Sequence, residues 1–200
     1  MTPKFREITF TDSVRHAQEK YYGRSQKAGG ASADALTEDE MNFIHSRDSF
    51  YMATVSETGW PYVQHRGGKP GFLRIISPKQ LAFADYKGNR QMLSTGNLSV
   101  NDKVALFLMD YPHKERLKIL GHARVEDARG HADLVAQLAE EDVRPTVERL
   151  FFIDVVSYDW NCPQHITPRY TVEEIERWAT PMKQRIAELE EEVQRLKAKD

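Results

Sequence analysis

Cysteine is almost absent: the 200 residues contain one, Cys162. A single thiol excludes an intrachain disulfide framework and a zinc site built from cysteines, and it fits a reducing compartment. No apolar run approaches the roughly 20 residues that span a bilayer, and residues 1–10 lack the apolar core of a secretory signal. From these absences we expect a cytoplasmic protein without a membrane segment.

An excess of either charge is also missing, since the net charge is -2 and the pI is near 6.4. Whole-protein charge therefore gives no support to nucleic-acid binding. The seven histidines show no H-x-x-x-H spacing, so no metal site is predicted. Neither a Walker A loop nor a G-x-G-x-x-G fingerprint occurs, which removes support for ATP-binding and dinucleotide-binding folds.

A period of two dominates residues 49–157 and predicts β-strands. The predicted strands are 50–55, 62–65, 72–76, 80–85, 104–109, 116–126 and 151–156, with short helices at 90–98 and 131–141. Strands that follow one another with few helices between them favour an antiparallel barrel over a doubly wound parallel sheet. We therefore predict a mainly β (α+β) domain at 36–170.

Helices are predicted on both sides of this region. Residues 1–35 are interpreted as an arm and linker, in which Thr11 caps a helix reaching Tyr22 and the Gly-rich stretch 27–32 is flexible by composition. We expect the arm to pack on the body or on a partner. Thr37 and Glu40 form a capping box that begins a short helix ending near residue 48.

The last segment, 171–200, is predicted to be one long, coiled-coil-like helix. Its apolar residues are separated by steps of three and four over about three heptads: Ile175, Trp178, Met182, Ile186, Leu189, Val193 and Leu196. Such a seam needs a partner helix. The partner is either the N-terminal arm or a second copy of the chain, and we favour the second copy.

Two turns are suited to an anion. Gln64-His-Arg-Gly-Gly-Lys-Pro-Gly71 follows an apolar strand and combines Arg66 and Lys69 with three glycines. Glycine lets the backbone approach a ligand closely, and the two cations provide the charge that a phosphate needs. On local grounds a basic surface turn is an equally good interpretation. His65 is either a ligand to a flavin edge or substrate, or a polar side chain on the outer face of the strand.

The second turn is Asp85-Tyr-Lys-Gly-Asn-Arg-Gln91. It also leaves a strand, and Asn89 is a candidate N-cap for the helix that follows. The free amides of a helix start favour an anion, and Arg90 stands where it could hold one. Two such turns at the ends of neighbouring strands favour a phosphate site over coincidence.

Taken in order, several motifs resemble the pyridoxamine 5'-phosphate oxidase-like family of FMN-binding split barrels, over residues 36 to about 170. The resemblance rests on the segments 50–61, 64–72, 81–91, 106–111, 117–121 and 159–165. It implies an antiparallel six-stranded split β-barrel with flanking helices, an FMN cofactor, and a homodimer that builds each flavin site from two chains.

The resemblance also implies site residues. The Arg and Lys that grip the flavin phosphate in the oxidases fall on Gln64 and Lys69, with Arg66 as a substitute for the missing Arg. The strand end that faces the flavin falls on Ala84 and Asp85, and a second phosphate-binding pair follows it. The remaining implied positions are Arg90 and Gln91 for that pair, Arg116 or Lys118 from the partner chain, and Trp160 by a loose match.

One departure bears on the substrate. The Arg-rich end that holds substrate phosphate in those oxidases is replaced here by residues 160–169 and the long helix, so oxidation of vitamin B6 gains no support. We predict an FMN-dependent oxidoreductase acting on a small organic molecule, with NAD(P)H or a partner reductase as electron source. A deazaflavin would suit the same turns, and Cys162 is either a redox-active thiol or a small packed side chain. The alternatives are a non-enzymatic flavin or haem-type binder and an interaction module built on the coiled coil.

Overall fold

The computed structural model describes residues 1–26, 34–160 and 163–198. Its helices are α1 (Pro3–Thr9), α2 (Asp12–Tyr22), α3 (Glu38–His45), α4 (Leu93–Leu98), α5 (Ala132–Leu138) and α6 (Val172–Lys197). Its strands are β1 (Ser49–Val55), β2 (Pro61–Gly67), β3 (Arg74–Ser77), β4 (Gln80–Tyr86), β5 (Lys103–Asp110), β6 (Glu115–Asp127) and β7 (Val147–Trp160). The predicted linker at 27–32 and the candidate thiol Cys162 lie outside the described residues.

All seven strands belong to one antiparallel sheet with the order β2-β1-β5-β6-β7-β4-β3. The mainly β, α+β class is confirmed, but the six-stranded barrel is wrong in two respects. The described sheet has a seventh strand, the four-residue β3 that pairs only with β4, and no ladder closes it from β2 to β3. In place of a closing ladder, side-chain contacts join β2 to β4: Arg66 on β2 contacts both Asp85 and the ring of Phe83 on β4.

The strands alternate as the period of two predicts, and β5 is the clearest case: every second residue from Val104 to Asp110 is buried. The main core lies on one face of the sheet, where Phe50, Phe83 and Phe151 are in contact. A smaller core on the other face packs α5 against β4 and β7. Strand β4 is therefore buried on both faces, which explains its continuous apolar run.

The helix starts agree with their capping residues. Thr11 accepts a hydrogen bond from the Val14 amide and begins α2. The Glu40 carboxylate accepts from the Thr37 amide at 2.9 Å, the reciprocal half of a capping box at the start of α3. The unpredicted helix α1 buries Phe5 and contacts β7, so this part of the arm packs on the body of its own chain.

Two other helices are shorter than predicted. The segment 131–141 forms helix only over Ala132–Leu138. Helix α4 begins at Leu93 rather than at residue 90, because Arg90 and Met92 adopt positive φ angles of 60° and 59°. Asn89 is therefore not its N-cap, and its side chain instead accepts from the Gln91 amide at 3.1 Å, an Asx turn.

The chain divides into two compact units, one of residues 1–110 and 115–163 and the other of residues 111–114 and 164–200. The sheet and helices α1 to α5 belong to the first unit. The second contains α6, which begins with a capping box between Thr171 and Glu174. None of the helices among the described residues combines the length and the apolar character needed to cross a membrane.

Candidate functional site

A cavity of about 260 Å³ opens in the first unit between β2, the end of β4, the start of β7 and the loop that leads into α4. Six of the residues predicted from the sequence line it: Gln64, Arg66, Asp85, Asn89, Arg90 and Gln91. The structure thus brings residues from both predicted phosphate segments to one place. We call this cavity the arginine pocket, because its charged lining consists of Arg66, Arg90, Arg149 and Asp85.

Alternation along β2 decides which of its side chains enter the pocket. Tyr62, Gln64 and Arg66 occupy the partly buried positions of the strand, whereas the residues between them are exposed. Gln64 is held there by Ser94 at the start of α4, whose hydroxyl donates to the amide oxygen at 2.7 Å. This bond also orients the Gln64 amide so that its N–H₂ group remains available to a ligand.

Asp85 anchors two arginines at the base of the pocket. Arg66 donates to one carboxylate oxygen, and Arg149 donates to the other through Nε at 2.8 Å and Nη2 at 2.7 Å. All three side chains are largely buried, with exposed fractions of 14% for Arg66, 17% for Arg149 and 9% for Asp85. Arg149 also donates through Nη1 to Glu148, which lies outside the pocket lining, at 3.2 Å, so Asp85 and Glu148 together balance the two guanidinium groups.

The arginines retain unused donors. Arg66 stacks over the ring of Phe151, 5.0 Å from its centroid, and its Nε atom is buried without a hydrogen-bond partner among the described residues. Arg90 is exposed in the loop, and within the described part of the chain it makes no ion pair. The lining contains three arginines and one carboxylate; with Glu148 counted against Arg149, one positive charge remains, and it suits a phosphate group.

The loop at the mouth of the pocket holds two residues in the left-handed region, Arg90 and Met92. A non-glycine residue in this region costs of order 1 kcal/mol or more, and such strain concentrates at functional sites. The positive φ angles prevent the helix from starting earlier and leave Arg90 in the loop that lines the pocket. Helix α4 has six residues. We therefore assign anion binding to the side chains of the pocket instead of to the N-terminal amides of this helix.

Two predicted residues of the first turn lie elsewhere. His65 is exposed on the opposite side of β2 from Arg66, with its ring against that of Tyr51 at 5.5 Å, which is the outer-face alternative. Lys69 lines a separate cavity of about 230 Å³ and forms ion pairs with Glu140 and with Asp142, the latter at 3.9 Å. The hydrogen bond with Glu140 raises the pKa of Lys69.

Three more predicted residues are also outside the pocket. Ala84 points into the smaller core and is 4% exposed. Arg116 and Lys118 lie on the face of β6 opposite to its core residues. Arg116 stacks over Phe107 at 5.9 Å, and Lys118 approaches Asp159 at 3.7 Å. Within one chain these two cations are thus separated from the arginine pocket.

Trp160, which the loose match assigned to the cofactor, contacts α3 in the core. Its indole N–H donates to Glu40 at 2.5 Å, and its ring meets Phe43 edge-on at 4.8 Å. Burial acts to raise the pKa of Glu40, but hydrogen bonds from Thr37 and Trp160 outweigh it and hold that pKa below 4.5. Burial, followed by the charge of Glu40, raises the pKa of Tyr158 to about 12.

This contact predicts a structural effect for Trp160→Phe. We expect the free energy of unfolding to fall by about 1–3 kcal/mol at neutral pH, because a buried carboxylate loses a donor. Because the pKa of Glu40 is lower in the folded state than in the unfolded state, its ionised form stabilises the fold at pH values above the unfolded pKa. This stabilisation is lost as the pH falls through the folded pKa. The difference in unfolding free energy between Trp160→Phe and the wild type, measured in urea, should therefore become smaller below about pH 4. Trp60→Phe is the control, since Trp60 is 75% exposed; an equal loss there would contradict the assignment.

Sequence reasoning missed Arg149, which lines the pocket together with Tyr62, Tyr86 and Ser94. A signal for Arg149 was available, because it stands two residues before Phe151 and so shares the core-facing side of β7. Its pairing with Asp85 depends on the β4–β7 register, where the two residues are opposite each other. Among the described residues, no group of three or more His, Cys, Asp or Glu could hold a metal ion.

Comparisons with solved structures give matches that cover most of each known chain. HupZ of Group A Streptococcus is 15% identical, with 68% of this chain and 99% of that chain covered and a TM-score of 0.48. A pyridoxamine 5'-phosphate oxidase-type protein from Lactobacillus delbrueckii is 21% identical (62% and 93% covered, TM-score 0.48). HutZ, the heme storage protein from Vibrio cholerae, is 16% identical (64% and 94%, TM-score 0.44).

No curated protein is recognisably similar in sequence to this chain. A family model does match: the one described as pyridoxamine 5'-phosphate oxidase aligns with residues 36–153. That match spans more than half of the 200 residues and contains β1 to β6, the start of β7 and the whole arginine pocket. The chain therefore belongs to the pyridoxamine 5'-phosphate oxidase-like family.

Proposed function

We propose that this protein is an FMN-dependent oxidoreductase of a small organic substrate. The observation that carries the proposal is the arginine pocket, where three arginines line the cavity and a net charge of +1 remains when Asp85 and Glu148 are both counted. Membership of an oxidase family supports the choice of a flavin over other phosphate-bearing ligands. When bound, FMN would supply hydride chemistry at its ring system, and the chain would bind and orient it.

The roles of the chain's own residues follow from their contacts. Arg90 and Arg66 would hold the phosphate, since Arg90 is unpaired among the described residues and Arg66 lines the pocket beside it. Asp85 would position Arg66 and Arg149 from below. Ser94 would keep the Gln64 amide turned toward the ligand. No side chain of the pocket is required as an acid or base for this chemistry.

We further propose that the flavin lies at a homodimer interface. The pocket of one chain measures about 260 Å³, below the range of about 300–1,000 Å³ that is typical of cofactor and drug-sized ligands. A phosphate end would fit this volume, while the ring system would extend toward a second copy. Arg116, which lies on the face of β6 opposite to its core residues, is the candidate contribution of that copy.

Haem is the other ligand to test. Histidine is the most widespread axial ligand of haem iron, with Cys, Met and Tyr as further options. The described lining of the arginine pocket contains neither His nor Cys, although Tyr62, Tyr86 and Met92 belong to it, and three of its four charged side chains are arginines. The composition therefore favours a phosphate-bearing flavin.

Purification provides the direct test. We expect a yellow protein, or one that gains flavin absorbance on addition of FMN, with a bound species whose mass is that of FMN rather than of a deazaflavin. A preparation that takes up no flavin, or that binds haem instead, would overturn the proposal. Anaerobic bleaching by NADH or NADPH would identify a nicotinamide as the electron source; bleaching only with an added reductase would assign that role to a partner protein.

Arg90→Ala tests the phosphate assignment. Loss of one charge-assisted hydrogen bond is worth about 1.5–3 kcal/mol, so we expect FMN affinity to fall by about 10- to 100-fold. The matched control is Lys69→Ala, which removes a cation paired with Glu140 in another cavity and should leave affinity unchanged. Fluorescence titration of FMN measures both. A large loss of FMN affinity with Lys69→Ala and none with Arg90→Ala would assign the phosphate to Lys69 in the first turn instead of to Arg90.

A further inference from the structure

The C-terminal helix carries an exposed apolar seam. Five residues of α6 that lie after Pro181 are 43–65% exposed although all are aliphatic or methionine: Met182, Ile186, Leu189, Val193 and Leu196. Exposure of this extent along one helix face predicts a partner, because an isolated helix cannot bury its own seam. We call these five residues the C-terminal seam.

Pro181 separates this seam from the apolar residues before it. Proline cannot donate to the carbonyl four residues earlier, and it interrupts the hydrogen-bond ladder of the helix. Trp178, on the N-terminal side, already packs edge-on against Tyr170 at 4.8 Å. The apolar steps around the proline are four and four, from Trp178 to Met182 and from Met182 to Ile186, which breaks a heptad register. The expected three heptads are therefore reduced to about two, starting at Met182.

Within the C-terminal seam the register is regular. Ile186 and Val193 take position a of the heptad, while Met182, Leu189 and Leu196 take position d. β-Branched residues at a combined with leucine at d favour parallel, two-stranded coiled coils. The core residues thus select both the number of helices and their direction.

The flanking charges select the same arrangement. In a parallel, in-register pair, position g of one helix faces position e of the next heptad in the other. Arg185 then faces Glu190 of the second copy, and Glu192 faces Lys197, so each contact joins opposite charges. The symmetry of the pair produces every contact twice.

Antiparallel alignments are less well matched. The alignment that pairs Ile186 with Leu196 brings Glu190 against its own copy and Lys183 against Lys197, which is repulsive. Sliding by one heptad joins Arg185 to Glu192 and Lys183 to Glu190, but it leaves Leu196 opposite Ala179. Only the parallel pair combines attractive charges with burial of all five seam residues.

We propose that residues 182–197 pair with the same segment of a second copy as a parallel, in-register coiled coil. The orientation is set by the contacts of Arg185 with Glu190 and of Glu192 with Lys197. Within one chain Arg185 bonds Glu188 at 2.8 Å, but both side chains are about two-thirds exposed and such a pair is weak. The proposal does not depend on the flavin.

Disulfide trapping in the full-length chain tests the alignment. In a Cys162→Ser background, Leu196→Cys places thiols at facing d positions of the parallel pair, whereas Glu191→Cys places them at position f, on the outside. We expect rapid formation of a covalent dimer with Leu196→Cys and at least about tenfold slower formation with Glu191→Cys. Equal rates for the two variants would overturn the proposal.

Charge variants of the Leu196→Cys protein distinguish the two directions. Arg185→Glu creates like-charge contacts in both, and we expect the cross-linking rate to fall about fivefold. Adding Glu190→Lys restores attraction only in the parallel pair, whereas adding Glu192→Lys restores it only in the shifted antiparallel pair. The two double variants have the same net charge. Recovery with Glu190→Lys alone is the expected result; recovery with Glu192→Lys alone would overturn the parallel alignment.

Discussion

Asp85→Ala should lower the free energy of unfolding by about 3–5 kcal/mol, because it leaves the largely buried Arg66 without its carboxylate partner and Arg149 with Glu148 alone. Arg66 and Arg149 both donate to this carboxylate, and neither side chain is more than 17% exposed. Urea denaturation measures the loss. Asp85→Asn, which keeps one acceptor oxygen and the volume, should lose less.

The same variant reports on the ligand. Removing Asp85 makes the arginine pocket more positive by one charge, so a bound anion can replace the missing carboxylate. We expect inorganic phosphate to restore more stability to Asp85→Ala than it adds to the wild type. No difference between the two proteins would mean that the arginines do not face an anion.

A surface carboxylate provides the matched control. Asp154 lies on β7 as Arg149 does, bonds Gln80 at 2.7 Å and approaches Arg124 at 3.6 Å, but its side chain is 57% exposed. Exposed ion pairs contribute about 0–1 kcal/mol. Asp154→Ala should therefore leave the free energy of unfolding nearly unchanged. A loss as large as that of Asp85→Ala would show that the effect is not specific to the buried carboxylate of the arginine pocket.

Gly121→Ala should destabilise the protein by about 3 kcal/mol, since the sheet has no room for a side chain there. A Cβ atom at Gly121 would lie 2.7 Å from the Asp154 carbonyl oxygen and 2.9 Å from Cγ2 of Ile153. The carbonyl cannot move away easily, because Gly121 stands at a β-bulge in the long pairing of β6 with β7. Thermal or urea unfolding measures the effect.

Gly96→Ala is the opposite case and the control. Nothing lies within 4 Å of a Cβ atom at Gly96, which is inside α4 with an ordinary negative φ. Replacing glycine by alanine in a helix interior gains about 0.5–1 kcal/mol. Equal destabilisation by the two substitutions would show that the tight contact at Gly121 is not the cause.

Much of the secondary structure could be predicted from local sequence. Alternating apolar residues located the seven strands to within a few residues, and Thr11 and Thr37 marked the starts of two helices. These signals depend on neighbours within one turn or one pleat, so they persist in any tertiary context. The α4 start at residue 93 was missed because the left-handed conformations of Arg90 and Met92 have no such signal.

The sequence by itself determined the two basic turns, the β-strands that precede them and the heptad residues of α6. Only the tertiary structure decided which cation lies against which carboxylate. It placed Arg149 against Asp85 across 64 positions of chain, turned His65 outward and paired Lys69 with Glu140. The physical reason is that strand register and the facing of side chains across a sheet depend on contacts between distant segments. Charge and spacing could propose an anion site, but the pairing of β4 with β7 was needed to assemble it.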